Sequence, residues 1–116
     1  MPTFITLENH GTESLIAHLK GEVDVNQLPD LDAALKPALA DPGLKTLILD
    51  CRELEFIDSK IVGFIAYLRT TLAKSQRQLC LAGLQETVND ILSLVGLTQI
   101  IPCFPTVEAV FNPIPA

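Results

Sequence analysis

Positive charge is what this sequence has least of: Lys and Arg number 8 against 14 Asp and Glu, a formal net charge of −6. The basic residues are scattered, so no positive surface is expected to follow a phosphate backbone, and nucleic acid is excluded as a partner. Docking on anionic lipid through a polybasic patch is excluded for the same reason. Long hydrophobic runs are missing as well. Stretches such as Thr46-Leu47-Ile48-Leu49 fall far short of a bilayer span. Met1-Pro2-Thr3-Phe4 lacks the basic start and apolar run of a signal peptide, so a soluble, cytoplasmic protein with no direct membrane insertion is expected.

Cysteine is confined to Cys51, Cys80 and Cys103, an odd count with no C-x-x-C spacing. No zinc pattern follows, no metal site is expected, and each thiol reads as a small buried hydrophobe in or beside a strand. Neither a G-x-S-x-G elbow nor a glycine-rich phosphate loop occurs. His10 falls in a turn and His18 on the polar face of a strand. Both read as solvated surface residues rather than catalytic bases. Neither enzyme chemistry nor a cofactor is expected.

What is present is a core-forming chain. With 116 residues, 48% hydrophobic and 19% charged, it is one ordinary domain spanning 1–116, with no linker or internal repeat. Phe4 to Leu7 and Ser14 to Lys20 read as two strands joined by the Asn9-His10-Gly11-Thr12 turn, an antiparallel hairpin. Gly21 to Asp24 reads as a loop into a helix capped near Asn26, with Pro29 in its first turn and a Leu28, Leu31, Leu35, Leu39 stripe. Pro37 predicts a kink or an early end, and Asp41-Pro42-Gly43 closes the helix. Leu44 to Asp50 reads as a well-buried strand. A second helix runs to about Ser75, then a strand Gln78 to Ala82 and a helix from about Gln85 to Val95 that stops at Gly96. Ile100 and Ile101 read as a last strand broken by Pro102, and Thr106 as the cap of a short helix, Val107 to Phe111, ended by Pro113. The order is β-β-α-β-α-β-α-β-α. That predicts an α/β fold, a mixed but mostly parallel sheet of about five strands packed by about four helices.

The stretch Phe56-Ile57-Asp58-Ser59-Lys60-Ile61-Val62-Gly63 stands apart. Asp58 and Ser59 are helix-capping types, and Ile61, Phe64, Ile65, Leu68 and Leu72 then recur at helical spacing. At about 100° per residue, Ser59 falls opposite that stripe, beside Val62, Gly63, Ala66 and Thr70. A hydroxyl thus borders a shallow strip of small residues, either as a plain cap or as the centre of a recognition face. On the flat apolar strip a second copy of the chain has room to pack.

Taken in order, Leu19-Lys20-Gly21-Glu22-Val23-Asp24, Leu47-Ile48-Leu49-Asp50, Phe56-Ile57-Asp58-Ser59 with Gly63, Leu81-Ala82-Gly83, Val88-Asn89-Asp90-Ile91-Leu92, Gly96-Leu97 and Thr106-Val107-Glu108-Ala109-Val110 resemble the STAS family. That is the sulfate-transporter and anti-sigma-factor-antagonist domain, and the resemblance covers essentially the whole chain. In bacterial anti-sigma factor antagonists the Ser of the Asp-Ser pair is phosphorylated by a partner serine kinase. The resemblance therefore implies Ser59 as the phosphorylated residue. It implies Glu22, Asp24, Asp58, Ser59, Lys60, Val62, Gly63 and Ala66 as the partner-binding surface. Its partners would be an anti-sigma serine kinase and a resetting phosphatase. Lys60 and Ile61 depart from the family pattern, which has a small hydroxyl residue and a glycine there. They favour the alternative, a non-phosphorylated STAS scaffold or the small cytoplasmic subunit of a stress-signalling complex or lipid-transport ABC system.

Overall fold

Alternation with period two carries the first hairpin, and its two faces separate two cores of unequal size. In the computed structural model, which describes residues 2–112, β1 (Ile5–His10) pairs antiparallel with β2 (Ser14–Val23). β3 (Thr46–Ile57), β4 (Gln78–Ala82) and β5 (Cys103–Phe104) follow in parallel, giving a five-stranded sheet of order β1-β2-β3-β4-β5. Leu15, Ala17 and Leu19 point to one side with Leu47, Leu49, Leu79 and Leu81. Ile16, Ile48, Cys80 and Ala82 point to the other.

The larger core lies under α1 (Leu28–Ala40), α2 (Ser59–Ala73), α3 (Glu86–Leu94) and the single turn α4 (Leu97–Ile100). α2 contributes Ile61, Phe64, Ile65, Leu68 and Leu72, the stripe that the sequence spacing predicts. On the opposite face, α5 (Val107–Phe111), capped by Thr106, lays Val107, Val110 and Phe111 over the smaller core. The expected end of that helix at Pro113 lies outside the described residues. Among the described residues no helix is long and apolar enough to cross a membrane.

Several boundaries differ from expectation. β2 continues through Gly21, Glu22 and Val23, so that segment is strand rather than loop. α1 begins at Leu28 after Gln27, not at a cap on Asn26, because Asp24 draws the local bonds: its Oδ1 accepts the Asn26 N–H, and its own N–H donates to Gln27 Oε1. α1 also runs through Pro37 to Ala40 rather than ending early. Its last carbonyls are satisfied from outside, by the Arg77 guanidinium donating to Ala38, Leu39 and Asp41. The Ile100–Ile101 strand is not formed. Ile100 closes the extra helix α4, Ile101 is buried, and pairing starts after Pro102, at Cys103.

The largest departure concerns β3, which reaches Ile57 rather than Asp50. Between His18 and Lys20, and again between Gly21 and Glu22, β3 holds one residue more than β2. Each bulge moves the inward position along by one, so the buried residues fall at Cys51, Leu54 and Ile57, three apart instead of two. This extension carries the strand to the start of α2.

Candidate functional site

The β2–β3 extension puts two chain connections side by side. Glu22 stands in register with Phe56 and Val23 with Ile57, so the segment after β2 and the segment after β3 leave the sheet together. Asp58 fastens them. It is the N-cap of α2, with extended backbone, and its Oδ1 accepts the Ile61 N–H at 3.0 Å. Its Oδ2 accepts the Val25 N–H at 2.9 Å. Partial burial pushes the Asp58 carboxyl up, but the N–H groups of Ile61, Val25 and Lys60 outweigh it and hold the group below its ordinary value.

Ser59 is therefore not the cap. It is the first residue of α2, exposed, with its neighbour's carboxylate occupied by the backbone. Lys60 is exposed beside it, whereas Ile61 is buried in the main core. Gly63 is exposed, and a Cβ built there would meet nothing within 4 Å. Val62 and Ala66 are half-buried against the core. Glu22 is exposed on the strand, and Asp24 shapes the turn into α1. The expected residues thus gather at one end of the molecule, where β2 and β3 finish.

Three apolar side chains that sequence spacing did not single out border this end. Val25, Phe56 and Tyr67 are 48%, 39% and 50% exposed. Phe56 stands in register with exposed Glu22, on the face turned away from the main core. Tyr67 lies about 80° round α2 from Ser59, a signal that the helical wheel already held. Among the described residues, no cluster of three His, Cys, Asp or Glu side chains is arranged to hold a metal ion.

A second polar cluster sits elsewhere, on the sheet face covered by α5. His18, expected as a solvated surface residue, is half-buried between two carboxylates. Its Nδ1 lies 2.6 Å from Asp50 Oδ2 and its Nε2 lies 2.7 Å from Glu8 Oε1. Asp50 is the one buried charged residue among those described, and it also accepts the Arg52 backbone N–H. Burial lowers the imidazole's proton affinity, but the bonds to Glu8 and Asp50 and their charges raise it further, above the ordinary 6.5. Asp50 precedes Ser59 by nine residues along β3, on the order of 25 Å of strand. His18, paired with Asp50, is thus far outside reach of the Ser59 hydroxyl, and His10 is engaged with the Phe111 ring on the α5 side. The cysteines divide as well: Cys51 and Cys80 are buried, as expected, but Cys103 is exposed because it sits on the short edge strand β5.

Comparison with solved structures places this geometry. The unphosphorylated anti-sigma factor antagonist SpoIIAA matches 97% of this chain over 99% of its own, at a TM-score of 0.81 and 23% identity. SpoIIAA of Bacillus in its phosphorylated form matches 93% of the chain over 96% of its own, at 0.76 and 22%. An anti-sigma factor antagonist from Mycobacterium paratuberculosis matches 93% over 90%, at 0.80 and 23%. The same fold occurs inside a larger protein: the murine anion transporter Slc26a9 matches 90% of this chain with 18% of its own, at 0.76 and 20%. The STAS domain model matches residues 4–110, and by that match, over nearly the whole length, the chain belongs to the STAS domain family.

Proposed function

We propose that this protein is a regulatory interaction module of the anti-sigma factor antagonist type, without enzymatic activity of its own. It binds an anti-sigma serine kinase through the end of the sheet that carries Ser59, and phosphorylation of Ser59 releases that partner. A phosphatase resets it.

The observation that carries this reading is the division of labour between Asp58 and Ser59. Because Asp58 caps α2, the Ser59 hydroxyl stands exposed in the first turn and is free to be modified without unfolding the helix. A phosphate there adds about −1.5 to −2 charges where the helix dipole and free N–H groups favour an anion. The fold tolerates it, and the change falls on the docking surface. Val62, Gly63 and Ala66, with Val25, Phe56 and Tyr67 around them, supply the apolar contact area; Glu22, Asp24 and Lys60 supply the polar rim.

Incubation with the cognate anti-sigma kinase and ATP is expected to yield one phosphate on Ser59, and Ser59→Asp to bind that kinase at least tenfold more weakly than the wild type. No phosphate on Ser59, together with full binding by Ser59→Asp, overturns the reading. Lys60 favours one other reading, a STAS scaffold that is never phosphorylated, because it stands where the family pattern has a small hydroxyl residue. Co-purification with an ABC ATPase that Ser59→Ala leaves unchanged would support that alternative.

A further inference from the structure

The cluster on the far side of the sheet serves none of this. His18 on β2 stands between Glu8 of edge strand β1 and Asp50 of β3, with contacts of 2.7 and 2.6 Å at its two ring nitrogens. Each contact needs a proton between nitrogen and oxygen. A neutral imidazole has one N–H and a carboxylate has none, so one imidazole can satisfy both carboxylates only as imidazolium. The two partners are unequal. The Asp50 side chain is 5% exposed and takes a further bond from the Arg52 backbone N–H, whereas the Glu8 side chain is 60% exposed. When the imidazole loses a proton, the buried carboxylate keeps its N–H and the exposed one is released into water.

We propose that the Glu8–His18–Asp50 bridge is a proton-operated latch, which fastens edge strand β1 to the body of the sheet when His18 is doubly protonated and frees it when the proton leaves. Among the described residues β1 pairs with β2 alone, so no second strand there compensates for the lost tie. The latch also reaches α5. His10, two residues beyond Glu8, stacks on Phe111 with ring centroids 3.6 Å apart and planes 12° from parallel. Glu8, His10, His18, Asp50 and Phe111 line a cleft of about 350 Å³ between β1 and α5, and Glu8 stands at its open side. Releasing Glu8 therefore loosens both the strand and one wall of that cleft.

Among the described residues the other charged and titratable groups facing this cluster are few, and His10 of β1, stacked on Phe111, is one of them. Arg52 of β3 reaches Asp50 Oδ2 at 3.6 Å, and Glu108 of α5 lines the cleft. Lys20 follows on β2, and Cys80 of β4 lies under α5 with its thiol pushed up to about 11 by burial, so it stays neutral. Arg52 lends Asp50 a fixed positive charge at every pH, leaving His18 as the group whose charge decides whether Glu8 is held.

The test is hydrogen exchange of the β1 amides against pH, alongside a nuclear magnetic resonance titration of His18, on the wild type and on Glu8→Gln. Exchange is expressed as protection relative to an unstructured chain, with the β4 amides as internal reference. Wild-type β1 protection is expected to fall roughly tenfold as pH rises through the His18 titration, about what the loss of one charge-assisted hydrogen bond carries, while β4 holds. In Glu8→Gln the amide can face either a bare nitrogen or an N–H. Its β1 protection should stay level across that range, and His18 should titrate lower than in the wild type. The proposal is overturned by β1 protection that ignores the His18 titration, by the same pH dependence in Glu8→Gln, or by a His18 that titrates at or below the ordinary value.

Discussion

Asp58 and Val25 are 33 residues apart, yet the Asp58 Oδ2 accepts the Val25 N–H at 2.9 Å while Oδ1 of the same carboxylate caps α2 at Ile61. One side chain thus sets both the start of the helix that presents Ser59 and the path of the β2–α1 connection beside it. Ser59 is left with no part in holding either.

This separates two neighbouring substitutions. Ser59→Ala should leave the melting temperature within a degree or two of the wild type, as for most exposed positions. Asp58→Ala removes the cap and the Val25 tie together and should lower it by roughly 5 °C. Since the folded state holds the Asp58 carboxyl below its ordinary 3.8, its contribution is fully present above that value and is lost as pH falls through the depressed one. The acid limb of a melting-temperature profile should therefore be shallower in Asp58→Ala than in the wild type. Thermal melts of the three proteins between neutral and acid pH decide the matter, and an equal loss in Ser59→Ala would show that the hydroxyl does cap.

The fold and the site were legible to different depths, and the bulges mark the boundary. Hydrophobic spacing revealed the α2 stripe at Ile61, Phe64, Ile65, Leu68 and Leu72, because helical period depends on local sequence alone. Period two failed in β3 after Asp50, since the two extra residues were set by pairing with β2, which no local window contains. The same pairing turns Leu54 inward between exposed Glu53 and Glu55, and it continues β2 through Glu22, which local sequence reads as loop. His18 was misread for a related reason. Its partners Glu8 and Asp50 sit ten residues before it and thirty-two after, and strand register alone brings all three together.

The cysteines provide a labelling pattern. Burial pushes the Cys51 thiol up to about 12 and Cys80 to about 11, and both lie inside the core. Cys103 is exposed on β5, with burial raising its thiol less. A thiol reagent at mildly alkaline pH should modify one cysteine per native chain, identified as Cys103 by peptide mass, and all three after unfolding. Prompt modification of Cys80 in the native protein would mean that α5 does not cover the sheet as described.

Asp50 is the residue on which the buried side of the His18 bridge rests. Asp50→Ala deletes the acceptor for both the imidazole and the Arg52 N–H and should cost about 2 kcal/mol in denaturant unfolding. The pH dependence should change with it. A histidine raised by its partners contributes stability that is fully present below its unfolded value of 6.5 and is lost as pH rises through the folded one. Wild-type stability should therefore decline over that step, and the decline should shrink in Asp50→Ala. Stability curves measured on either side of the step, at fixed ionic strength, check the sign; a rise with pH in the wild type would contradict it.

Two glycines predict opposite outcomes for one added methyl group. Gly83 has φ +68°, and a Cβ there would meet the Arg52 backbone at 3.3 Å. Both the left-handed backbone and the contact penalise a side chain, so Gly83→Ala should destabilise by about 1–2 kcal/mol. Gly63 lies in mid-helix on α2 with nothing within 4 Å of the new atom, and Gly63→Ala should stabilise by about 0.5–1 kcal/mol through the unfolded chain. The same open space makes Gly63 a probe of docking. Gly63→Leu should still fold cooperatively, because the added side chain projects into solvent. If the anti-sigma kinase packs on the strip beside Ser59, that variant should bind it at least tenfold more weakly, a loss of about 1.4 kcal/mol, in titration calorimetry. Wild-type affinity in Gly63→Leu would move the docking surface off this face of α2 while leaving the fold and the Asp58 cap untouched.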